Sequence, residues 1–242
     1  MRKGQQTRLA IVDAAVEQAA MAGLESLTIG ALADRMQMSK SGVFAHFGSR
    51  EDLQLAVLQA YEARFIDDVL KSAIAVPRGL PRLAAILERW LARTVIEAAQ
   101  GCIWISAASE YDDRPGPVRD ELVRMIEGWR GELGRTIDQA VTAGHLVPDT
   151  DIDELLFAVN GVVLALHHDA RLMRNPAALD RARRAIDRLI ERLRTAQAPP
   201  IRLADSSPRS KIDQPPRSRL ADATRPARGG HRSVSRQRQP TH

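Results

Sequence analysis

One cysteine, Cys102, stands among 242 residues, which excludes an internal disulfide framework and a metal cluster built from cysteines alone. Aromatic residues make up only 4% of the chain, so the few present carry information by where they fall. The longest apolar-rich stretch, LLFAVNGVVLAL from Leu155 to Leu166, is shorter than the ~20 residues that span a bilayer. No charged-then-apolar leader opens the sequence, and the expectation is a soluble, cytoplasmic protein with no membrane partner. Runs alternating apolar with polar residues are hard to find, which leaves little from which to build a sheet. Nucleophile elbow, phosphate loop and zinc-binding histidine pair are missing too. His167 and His168, adjacent on a helix, point about 100° apart and do not form the i, i+4 pair a shared metal prefers. No enzyme activity, cofactor or metal is expected.

What is present is a chain with 44% hydrophobic content, enough for a sizeable core. Its net charge of +5 is unevenly placed. From Ala198 to the end, ten Lys and Arg stand against three Asp, a net of +7, so the first 197 residues carry −2. This final stretch is rich in Pro, Ser, Gly and Arg without apolar period, and reads as a disordered basic tail over 198–242. It is either a solvated extension or a mobile cation adding salt-sensitive DNA affinity. Elsewhere apolar residues recur at helical spacing, and Ala, Leu, Arg and Glu dominate, which predicts an all-α fold.

The first fifty residues divide into short segments with clear ends. TRLAIVDAAVEQAAMA reads as a helix closed by Gly23. TIGALADRM is a second with Thr28 as N-cap, and SKSGVFAHF a third capped by Ser39. Gly48 ends the third, and SRED opens a fourth through a capping box, a helix expected to run to about Ala75 ahead of Pro77. A short helix, a tight turn and a second short helix on such a base form a helix-turn-helix, whose second helix enters the major groove. Small residues at Ser39, Ser41, Gly42 and Ala45 allow close approach to DNA. Val43 and Phe47 face inward, Lys40 can reach a phosphate or a guanine edge, and His46 and Arg50 sit where phosphates would pass.

Ile11 to Leu53, IVDAAVEQAAMAGLESLTIGALADRMQMSKSGVFAHFGSREDL, resembles the TetR family of transcriptional regulators, most densely in SKSGVFAHFGSREDL. AGHLVPDTDIDELLFAVNGVVLAL resembles, more loosely, the region that precedes and forms a dimer helix in many members. The resemblance implies a helix-turn-helix DNA-binding domain over 1–50, a helical effector-binding and dimerisation domain over 51–197, and ligand-controlled repression. It implies that Thr28, Lys40, Ser41, Gly42, Phe44, Ala45, His46 and Arg50 meet DNA. Three positions depart from the family pattern: Phe44 replaces a common tyrosine, Gly30 a longer side chain, and Ala19 a bulky aromatic.

In the second domain the aromatic supply is concentrated, with Trp90, Trp104, Trp129 and Phe157 as candidate walls of an apolar cavity for a small-molecule effector. Each could equally serve as plain core. Cys102 reads as a small buried hydrophobe or, less simply, an oxidant sensor. Glu110, Asp112 and Asp113 read as a solvated loop. The 151–173 segment is apolar on more than one face, and with the following helix supplies the surface of a four-helix homodimer interface. A homodimer would place two recognition helices on a pseudo-palindromic double-stranded operator. The alternatives are a DNA-binding regulator controlled by a protein partner without a small-molecule pocket, and an α-helical enzyme.

Overall fold

The computed structural model describes residues 3–201 and 203. Among them the chain forms nine α-helices and no strand. The first four follow the caps. α1 (Lys3–Ala22) buries Ile11, Val12, Ala15, Val16 and Ala19 on one side and stops where Gly23 takes φ +88°. In α2 (Ile29–Met36) the Thr28 hydroxyl accepts from the Ala31 N–H at 3.0 Å. The helix ends at Gln37, whose φ of 54° is left-handed. In α3 (Lys40–Phe47) the Ser39 hydroxyl accepts from the Gly42 N–H at 3.0 Å, and Gly48 at φ +76° breaks the helix. Ser49 does the same for α4 (Arg50–Val69), accepting from the Asp52 N–H and donating to its carboxylate. Losing any one of these caps costs about 1 kcal/mol.

The expected continuation of α4 to Ala75 does not occur. The chain leaves α4 at Val69 and makes a 3-10 turn over Lys71–Ala73. Arginines of α5 (Leu80–Gln100) explain the stop: Arg82 donates to the carbonyls of Ile74 and Val76, and Arg89 to that of Ser72. Carbonyls satisfied from outside need no next helical turn. The remaining helices are α6 (Ile103–Tyr111), α7 (Pro117–Thr142), α8 (Ile152–Arg171) and α9 (Ala178–Leu193). Pro117 opens α7, where its missing N–H costs nothing.

Two apolar cores result, and they do not divide at residue 50. The first joins Ile11, Leu24, Leu32, Val43 and Leu53 to Ile103, Ala107, Tyr111 and Leu122 of α6 and α7. The second is built from the end of α4, α5, the rest of α7, α8 and α9, with Phe65, Leu87, Ile137, Val159 and Ile186 inside. Trp104 packs against both. Arg183 of α9, 5% exposed, forks onto Glu88 of α5 and ties the last helix to the core.

The start of the segment read as a basic tail is ordered. Ala198 and Leu203 are buried in the second core, the Leu203 N–H donates to Asp187 at 2.8 Å, and Arg194 donates to the Ala198 and Pro199 carbonyls. Polar composition hid two apolar anchors. The rest of the tail, from residue 204, lies outside the described residues.

Candidate functional site

Because Val43 and Phe47 are drawn into the first core, α3 turns the opposite side outward. That side carries Lys40, Ser41, Phe44 and Ala45, with Thr28 at the start of α2 also exposed. Phe44 is 53% exposed, an unusual place for a ring that nothing in the fold requires there. Gly42 and His46 are half-buried, His46 meeting the Phe47 ring edge-on at 6.4 Å. Gly30 matters through what it lacks, since a Cβ there would stand 3.3 Å from Cε of Lys40. The face thus presents one ammonium, two hydroxyls, a methyl and a ring, groups suited to phosphate oxygens and to base edges or thymine methyls.

Arg50 is placed differently from the other seven. Its Nε donates to the Leu27 carbonyl at 2.7 Å, and its Nη2 to the backbone and carboxylate of Glu25. Its guanidinium braces the turn before α2.

That turn is also held from the far side of the chain, through residues that sequence reasoning missed. The Glu25 carboxylate accepts from the Tyr111 hydroxyl at 2.6 Å and pairs with Arg114 at 3.3 Å. Gln54, 4% exposed, donates to Tyr111 and to the Leu24 carbonyl. Glu110, read above as part of a solvated loop, accepts instead from the Glu25 N–H at 2.9 Å. The Tyr111 hydrogen bond holds the Glu25 carboxyl below the usual range, against partial burial, with Arg50 and Arg114 adding to it. A depressed carboxyl stabilises the fold above its unfolded pKa, and that contribution fades as pH falls through the lowered folded value. The last turn of α6 is therefore fastened to the helix-turn-helix.

The rest of α6 borders a cavity of about 350 Å³ between α4, α5, α7 and α8. Trp90, Trp104, Trp129 and Phe65 line it, together with Glu97 and Asn160. Three of the four expected wall residues are thus brought together. Phe157 is not: it is 75% exposed on α8, about 100° round the helix from Leu156, which does line the cavity. Phe65, which sequence reasoning missed, takes its place at the centre of the rings.

Cys102 is buried on this wall, 3.6 Å from the Tyr61 hydroxyl. Burial first, then the Glu97 charge, push its thiol pKa up to about 12. Since the thiolate is the reactive form, a disulfide reagent at neutral pH is expected to label the native protein far more slowly than the urea-unfolded one. Equal rates would contradict this placement and revive the oxidant-sensor reading. Among the described residues no group of three or more His, Cys, Asp and Glu could hold a metal ion, and no helix is long and apolar enough to cross a membrane.

No curated protein matches the sequence. Solved structures do match the fold. A transcriptional regulator of the TetR family from Cytophaga hutchinsonii superposes with a TM-score of 0.68 at 20% identity, covering 81% of this chain and 98% of that one. A TetR transcriptional regulator from Chloroflexus aurantiacus J-10-FL gives 0.70 at 23%, covering 81% and 100%. A structure from Saccharomonospora viridis, solved in complex with choline, gives 0.66 at 20%, covering 77% and 96%. Residues 11–57, which hold the capped helices and the exposed α3 face, match the bacterial regulatory proteins of the tetR family. Residues 79–186, which hold most of the ring-lined cavity, match the tetracyclin repressor-like C-terminal domain. With the capped N-terminal helices and the cavity-bearing helices each matched in this order, the chain belongs to the TetR family of transcriptional regulators.

Proposed function

We propose that the chain is a cytoplasmic, dimeric repressor that leaves a pseudo-palindromic operator when a small hydrophobic effector enters the cavity. Residues 1–50 bind DNA in this reading, and residues 51–197 bind effector and partner. The observation that carries it is the α3 face, where Lys40, Ser41, Phe44 and Ala45 stand exposed on a helix fixed from behind by Val43 and Phe47. Thr28, Gly42 and His46 flank the same contact, and Arg50 supports it by holding the turn.

The dimer reading is supported by α8. Phe157, Leu164 and Leu172 are 75%, 47% and 70% exposed, and their spacing with Gly161 and Ala165 puts them on one stripe. An apolar stripe of this kind marks an interaction surface. The effector reading is supported by the cavity and by the choline bound to the similar Saccharomonospora viridis protein.

Repression and release then share one element. Trp104, Ile105, Ala108 and Ser109 of α6 line the cavity, while Glu110 and Tyr111 of the same helix grip the turn at Glu25. A ligand favouring a different placement of α6 changes the spacing of the two recognition helices, and lowers DNA affinity by its differential affinity for the two arrangements. Selection of duplexes from a random pool, followed by footprinting, tests the reading. Two protected half-sites about 34–36 Å apart on one face of the duplex are expected; no enrichment of any sequence would contradict it.

A further inference from the structure

The cavity is lined by aromatic rings and one buried carboxylate. Phe65, Trp90 and Trp129 stand nearly perpendicular to one another, with interplanar angles of 89°, 86° and 79°. Trp104 adds a fourth ring, its centroid 4.4 Å from that of Phe65. All three tryptophans of the chain thus border one cavity. Each ring face carries the negative lobe of a quadrupole, so a box of rings attracts a cation more strongly than an uncharged group of the same shape.

This cluster already holds one cation in that way. The Arg93 guanidinium lies 5.3 Å from the Tyr61 ring centroid and 5.5 Å from that of Phe65. It is shared between Glu97 and Asp68, so two carboxylates face one guanidinium. Glu97, only 8% exposed, lines the cavity itself. Arg130, the other charged residue on the wall, is exposed to solvent, so Glu97 is the one buried charged side chain that lines the cavity.

We propose that this cavity binds a hydrophobic organic cation, an ammonium with aliphatic or aromatic substituents. Its alkylated nitrogen sits among the tryptophans, and Glu97 supplies the countercharge. The proposal rests on reading the cavity as the effector site and adds the ligand's class.

Calorimetric titration of the full chain with three probes tests it: benzyltrimethylammonium, its uncharged carbon analogue neopentylbenzene, and 3-phenylpropanoate. The ammonium is expected to bind about tenfold or more tightly than the other two. Glu97→Gln is expected to remove about that tenfold for the ammonium while leaving neopentylbenzene within about twofold. Should this variant fail to fold, Trp104→Leu, at a half-buried position, is expected to shrink the ammonium's advantage over the carbon analogue. Equal affinity for ammonium and analogue, tighter binding of the carboxylate, or no binding of any probe would overturn the proposal. DNA binding is measured on the same sample. Neopentylbenzene or the carboxylate releasing DNA without an ammonium preference would refute the ligand class alone, whereas DNA binding with no response to any bound probe would refute the effector reading as well.

Discussion

Gly101→Ala is expected to lower stability by about 2–6 kcal/mol, the sum of positive-φ strain and overpacking at ~1–3 kcal/mol each. Gly101 closes α5 at φ +106°, and a Cβ there would stand 1.5 Å from the carbonyl oxygen of Ala20 in α1. That neighbour is backbone, so relief requires α1 or the α5–α6 corner to shift. Cys102 and the cavity wall follow immediately, and the strain should reach them. Gly128 provides the contrast. It lies inside α7, and a methyl added there would have nothing within 4 Å, so Gly128→Ala should stabilise by about 0.5–1 kcal/mol through helix propensity. Urea unfolding midpoints of the two variants against the parent check both signs. A Gly101→Ala midpoint equal to the parent's would contradict the close contact between α1 and the corner.

Phe65→Ala is the second large effect, with an expected loss of about 3–5 kcal/mol. Phe65 is 1% exposed and touches three indoles, with centroids 4.4 Å from Trp104, 4.8 Å from Trp129 and 6.5 Å from Trp90. Its removal deletes the ring about which the others are arranged, and it also leaves Arg93 facing Tyr61 alone. Tryptophan emission should report the change directly, since every indole of the chain lies beside the vacated space. Thermal unfolding followed by that emission is the measurement. An unchanged Tm, with emission unmoved, would show that the rings do not pack as described.

The N-terminal helices were legible in the sequence because their signals are local. Thr28, Ser39 and Ser49 each accept from an N–H three residues on, and Gly23 and Gly48 stop a helix at positive φ. Interactions between distant segments left no such trace. Glu25 and Tyr111 are 86 residues apart, and no spacing rule joins them, so Glu110 read as a solvated acid and Arg50 as a phosphate contact. Phe157 illustrates a second limit. A helix apolar on two sides does not say which side meets its own core, and only the packing of Leu156, Val159 and Val163 against α5 and α7 settles it. Phe65 was overlooked because it sits on α4, which reads as a connector; the structure makes the end of α4 part of the second core.

The central claim is that the exposed face of α3 reads a DNA sequence, and fluorescence anisotropy tests it most directly. The full chain is titrated onto the duplex upstream of its own coding region, and onto a scrambled duplex, across a series of salt concentrations, beside a Lys40→Ala/His46→Ala variant of equal thermal stability. Saturable binding that prefers the upstream duplex, weakens with salt and is lost in the variant is the predicted result. Equal, weak binding of both proteins to every duplex, persisting with duplexes drawn from a random pool, would contradict it.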